Sequence, residues 1–288
     1  MGIIISSAVT QTGGVSSVGQ AAAAARAALT GAGCPPDQVD ALINVGVYRD
    51  ANLVEPAVAA LIQQAAGIGL EYRPGDVPCL SFDLMNGACG LVNAVGVAAS
   101  LLADLPAGHV VVVSGDAHPS MRADADFPFE PVGAALVLEN SATAIGFGGV
   151  HVSAGDALPD PQGYVTLSAM GATGRSALTV ELDTGTAELV EHATAAAREA
   201  LAADDIEAER VVLVCGKPTP EFATALAAEL GVAALVTDDF AGDAHTSALT
   251  AAYVAACEAG RTDQPLLFVA ADGGPTAAAV TYRGPGVR

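Results

Sequence analysis

The chain has 288 residues, 52% of them hydrophobic, which is ample for one large core or for two domains of roughly half that length. Thirty-two acidic against 11 basic residues leave a net charge of −21, with Lys217 the sole lysine, and this excludes a sequence-independent grip on nucleic acid. The cysteines Cys34, Cys79, Cys89, Cys215 and Cys257 show neither CxxC nor His-paired spacing, so neither disulfides nor a metal site is expected.

From the N-terminus, AAAAARAAL (21–29) reads as an amphipathic helix, followed past Pro35 and Pro36 by a buried strand in VDALINVG. SFDLMNGACGLVNAVGVAASLLA comes next, a short strand, a Gly-containing turn and a helix apolar nearly all round, with Cys89 six residues after Asp83. Such a helix has to be buried. Its longest apolar run, Leu91 to Ala103, is too short to span a membrane, and no leader-like segment precedes it, so a reducing, cytoplasmic location is expected. The strand HVVVVSGD then ends at Asp116, 27 residues beyond Cys89, and GAALVLE (133–139) adds another strand.

Residues 140–188, rich in Gly, Pro and Asp, read as a connection with an excursion over the substrate side. The pattern then repeats. ATAAAREAL (193–201) leads to ERVVLVCG, and TDDFAGDAHTSALTAAYVAACEA places His245 six residues after Asp239. PLLFVAADGG reaches Asp272, again 27 residues on, and TAAAVTYR (276–283) closes the copy. Two halves, 1–139 and 189–288, with central helices too apolar to face water, predict an α/β fold: a five-layered α-β-α-β-α sandwich of two pseudo-repeats.

A pseudo-twofold relation brings the N-termini of the two central helices together, and with them Cys89 and His245. Unpaired N–H groups and a partial positive charge at a helix start favour a thiolate and an oxyanion, so Cys89 is expected to have a lowered pKa. The plainer readings are a buried small hydrophobe for Cys89 and a capping or core histidine for His245. Asp243 either orients His245 or caps the helix.

DLMNGACGLVNA resembles the active-site cysteine segment of ketoacyl synthase III and related condensing enzymes of the thiolase fold. NVGVYRDANLVEPAVAALIQQAAGI (44–68) looks like the family segment ahead of the nucleophile, AHTSAL (244–249) is similar to its GNTSAA turn, and ADGGPT (271–276) to its Gly-rich C-terminal loop. The resemblance runs collinearly from about Gly19 to Tyr282. It implies that Cys89 carries an acyl group as a thioester and that the N–H groups of Cys89 and Gly274 hold the oxyanion. The donor would be acyl-CoA or a phosphopantetheinyl acyl carrier protein, with no tightly bound cofactor.

Departures are equally specific. The catalytic histidine of the family's HxAN segment falls, by counting back from Leu230 and Gly231, on Gly216, and the family's asparagine is replaced by His245. Ordinary malonyl-driven condensation is therefore not implied. The chain begins close to GIIISSAVTQTGG, short of the leading segment where the family places some CoA-binding residues. Lys217, beside the vacated place, either supplies a positive charge there or is simply solvated. His118 matches Gly274 in the repeat and is a candidate pocket residue. Glu55 lies in the segment that reaches toward a dimer partner, where it is an acid or base across the interface or a surface carboxylate. Two functions follow. One is an acyltransferase or condensing enzyme of lipid or secondary metabolism; the other is a catalytically weakened subunit completing a heterodimer with a competent paralogue. A homodimer suits the first.

Overall fold

The structure is a computed structural model that describes residues 2–71, 77–105, 108–155, 163–165, 174–182, 185–273 and 276–285. In the first half, β1 (Ile3–Gln11) leads to α1 (Ser17–Ala32), β2 (Ala41–Asn44), α2 (Val58–Ala66), β3 (Leu80–Asp83), α3 (Gly90–Ala103), β4 (His109–Gly115) and β5 (Gly133–Asn140). Next come β6 (Gly146–Phe147), β7 (His151–Ala154) and a small hairpin of β8 (Gly163–Tyr164) and β9 (Thr179–Val180). The second half has α4 (Thr186–Ala203), β10 (Val212–Cys215), α5 (Phe222–Leu230), β11 (Ala234–Val236), α6 (Ala248–Glu258), β12 (Leu266–Asp272) and β13 (Thr276–Arg283).

The two sheets have matching topology. The first runs β1-β5-β4-β2-β3 and the second β11-β10-β12-β13-β6, with β7 also on β13. In each, a short fully buried strand sits between two parallel neighbours: β2 between β3 and β4, and β10 between β11 and β12. Burial on both faces explains why ALIN and VLVC show no alternation. The next strand in each half, β5 or β13, returns antiparallel. Residues 146–154, read from the sequence as part of the connection, therefore supply strands to the second sheet, and β7 flanks β13 as β1 flanks β5.

Three apolar clusters account for the layers. α3 and α6 pack between the sheets, burying Leu91, Val95, Leu249 and Tyr253 against Ile43, Leu136, Val214 and Phe268. The outer face of the first sheet is covered by α1 and α2, and that of the second by α4 and α5. The expected five-layered sandwich is the observed fold. Alanine runs make the outer helices thin; Ala21, Ala24, Ala25 and Ala28 of α1 and Ala193, Ala196, Ala197 and Ala200 of α4 are all buried on their sheets. Among the described residues no helix is long and apolar enough to cross a membrane.

Candidate active site

Cys89 is the residue before α3, and the turn that presents it is tight. The N–H groups of Cys89 and Gly90 donate to the carbonyls of Asn86 and Gly87 at 3.0 and 3.1 Å. Gly90 is required by packing, because a Cβ there would lie 2.9 Å from Val45 Cβ. The Cys89 side chain is fully buried, and its Sγ faces the carbonyls of Ala270 and Thr276 at 3.7 and 3.8 Å. Burial, and after it the negative charge of Asp272, push the thiol up to about 12. This corrects the expected lowering. The partial charge of the helix start is outweighed by the desolvation of a thiolate and by a carboxylate fixed at the same turn. The Cys89 N–H, expected as an oxyanion donor, donates to the Asn86 carbonyl in this structure. Gly274, the expected second donor, lies outside the described residues.

His245 occupies the equivalent turn ahead of α6, with φ at +45°. Its backbone N–H donates to Asp243 Oδ1 at 2.8 Å, so Asp243 orients the turn through the main chain and not through the ring. Burial raises the Asp243 carboxyl. The imidazole stacks on Phe129 with centroids 4.2 Å apart. Its Nδ1 lies 3.5 Å from Asp116 Oδ1 and its Nε2 lies 3.5 Å from Asp272 Oδ2, ion-pair separations longer than a well-formed hydrogen bond. Burial opposes the charge, but the two carboxylates outweigh it and raise the imidazole to about 10. At neutral pH His245 is an imidazolium, a proton donor and fixed cation, and not a base.

Both carboxylates are anchored elsewhere as well. Asp116, fully buried just beyond β4, accepts Thr246 N–H at 3.0 Å and the Thr246 hydroxyl through Oδ2. Asp272, at the end of β12, accepts Ala88 N–H at 2.6 Å through Oδ2 and Gly273 N–H at 2.7 Å through Oδ1. Burial works against its charge, yet His245 and these N–H groups hold its carboxyl below the usual range. Neither aspartate was singled out as a candidate, although the equal spacing of 27 residues from Cys89 and His245 had marked them both. A charged residue ending an otherwise apolar buried strand was the available signal.

The remaining candidates divide. Gly216 is at the site: with His245, Asp243 and Ala88 it lines a small cavity. A Cβ at Gly216 would lie 2.8 Å from Ala248 Cβ. Restoring the family's histidine by Gly216→His is therefore expected to destabilise the fold by about 1–3 kcal/mol through overpacking, read as a lower denaturant midpoint. Lys217 is not at the site. Its Nζ pairs with buried Asp238 at 3.0 Å and donates to the carbonyls of Asp238 and Phe240, stapling the loop that leads toward His245. His118 contacts Ser120 Oγ at 2.8 Å and lines a cleft of about 350 Å³ with Arg122, Phe127 and Phe129. Phe129 separates that cleft from His245. Glu55 is exposed in the loop before α2. Among the described residues no cluster of His, Cys, Asp or Glu is arranged to hold a metal ion.

No family model matches the chain, and no curated protein matches it in sequence. Solved structures do match in fold. 3-Oxoacyl-(acyl carrier protein) synthase III, FabH, from Pseudomonas aeruginosa PAO1 superposes with a TM-score of 0.79 at 17% identity, over 99% of each chain. OleA of Xanthomonas campestris gives 0.78 at 16% identity, over 98% of this chain and 96% of the other. The tetronic acid condensing enzyme AbyA1 gives 0.75 at 16% identity, over 98% and 100%. The chain has the same thiolase-like fold as these proteins.

Proposed function

We propose that the protein is an acyltransferase or condensing enzyme of lipid or polyketide metabolism that accepts an acyl group on Cys89. The observation carrying this reading is the meeting of the Cys89 turn and the His245 imidazolium on one carboxylate, Asp272, where the central helices of the two halves begin. The proteins it resembles in fold include condensing enzymes. In the first step Cys89 Sγ attacks the carbonyl carbon of an acyl-CoA or acyl carrier thioester. The thiol proton leaves with the departing thiolate, and a Cys89 thioester forms. In the second step a carbon, oxygen or nitrogen nucleophile attacks that thioester and loses its proton, and Cys89 leaves as the thiolate and is reprotonated. His245, already charged, stabilises the negative charge that develops in both steps. The cleft behind Phe129 offers room for the acyl chain or acceptor.

Intact-protein mass spectrometry after incubation with a panel of acyl-CoAs tests this. An adduct of the acyl mass is expected, and Cys89→Ser is expected to abolish it. No adduct from any donor, with or without a co-purified partner, overturns the reading.

One observation favours the second function. A fully buried Cys89 thiol with its pKa raised, beside an N–H already occupied by Asp272, suits a weakened subunit that completes the dimer of a competent paralogue. Stoichiometric co-purification with such a paralogue and no Cys89 adduct would support it.

A further inference from the structure

The Asp272 carboxylate sits in a space made for it. Oδ2 accepts Ala88 N–H, from a segment 184 residues away in the chain, and Oδ1 accepts the N–H of the adjacent Gly273. Gly87, at φ +49°, lies so close that a Cβ there would collide with Asp272 Oδ2, so glycine is what leaves the carboxylate its volume. His245 Nε2 stands 3.5 Å from the same oxygen. Backbone donors, a cation and a side-chain-free cradle together make an anion-binding position, and it adjoins the residue that carries the thiol. Its occupant is part of the chain.

We propose that Asp272 is an internal plug: its carboxylate fills the anion-binding position beside Cys89, and a carbonyl oxygen that gains negative charge can enter only after Asp272 has turned out. What enters rests on the acyl-transfer reading; the plug itself does not. With Asp272 in place, a second negative charge at the turn is opposed and the thiol stays protonated. The carboxylate is held by two backbone N–H groups and the His245 ion pair and is partly exposed, so a side-chain rotation that breaks those contacts releases it without rearranging the sandwich. The charged groups facing this turn are Asp272 from β12, His245 and Asp243 from the turn ahead of α6, and Asp116 from the end of β4.

Iodoacetamide labelling of Cys89 in the intact chain, followed peptide by peptide from pH 7 to 10, tests the plug. Asp272→Asn keeps the shape and one acceptor while deleting the charge; Asp272→Gly vacates the cradle. Both are expected to label Cys89 about tenfold faster than the natural chain at pH 8. Adding acetate should slow Cys89 again in Asp272→Gly alone, by refilling the cradle. Cys34 and Cys79, distant from the turn, serve as controls and should not change. Equal Cys89 labelling in the natural chain and both variants, with the controls unchanged, overturns the plug. Should Asp272→Gly unfold, all five cysteines accelerate together and Asp272→Asn decides. Faster alkylation with no acyl adduct in any variant supports the plug and counts against acyl transfer, so the two failures are distinguishable.

Discussion

Asparagine in place of His245 is expected to lower stability by about 3–5 kcal/mol, even though asparagine is what the resemblance to ketoacyl synthase III places there. The side chain is not at fault, because asparagine tolerates a positive φ better than most residues and His245 sits at +45°. The loss comes from charge. Asp116 is fully buried and Asp272 partly exposed, and the imidazolium is the cation that lies between them. Removing it leaves two carboxylates facing one another across a low-dielectric gap and takes away the ring stacked on Phe129.

The pH dependence has a definite sign. The folded-state pKa of His245 is raised from 6.5 to about 10, so its contribution is complete below about 6.5 and is lost as pH rises through 10. Asp272 works in the opposite direction: its carboxyl is lowered, so its contribution is lost as pH falls through the folded value. Denaturant unfolding of the natural chain should therefore weaken between neutral pH and pH 10, and His245→Asn should be less stable at neutral pH and flatter over that alkaline range. Matching midpoints and slopes for the two proteins would show that Asp116 and Asp272 are neutralised by some other means.

Lys217→Met should destabilise by about 3 kcal/mol, a large effect for the side chain of the sole lysine. Asp238 is its reason. That carboxylate is buried, and its Oδ1 takes Lys217 Nζ at 3.0 Å and Phe240 N–H at 3.1 Å. Lys217 also donates to two carbonyls of the same loop, so its removal strands a buried charge and frees residues 238–240 together. Asp238→Asn in the Lys217→Met background should recover most of the loss, because the unpaired charge goes with it. A double-mutant cycle by denaturant unfolding measures this; additive losses would mean the pair is not coupled. If the loop does steady the turn at His245, Lys217→Met should also move the alkaline limb of the stability profile.

Several features were plain in the chain itself because they are local and occur twice. Helices such as 91–103, apolar on every side, have one solution in water, which is to lie between two sheets, and the copy around Tyr253 required the same. Strand β1 and strands β6 and β7 went unread for the opposite reason. They are edge elements whose place depends on antiparallel pairing with β5 and β13, partners more than 120 residues away.

The two helix starts carrying Cys89 and His245 followed from the repeat alone, as did the five layers they occupy. The state of the chemistry there did not. Asp272 reaches the Cys89 turn across 184 residues and Asp116 reaches the His245 turn across 130, while Lys217 turns away to a buried carboxylate. Periodicity and spacing report which face of an element is buried, since burial is repeated along the chain. Charge and pKa depend on distances of a few ångströms between residues from different layers, and only the packed tertiary structure sets those.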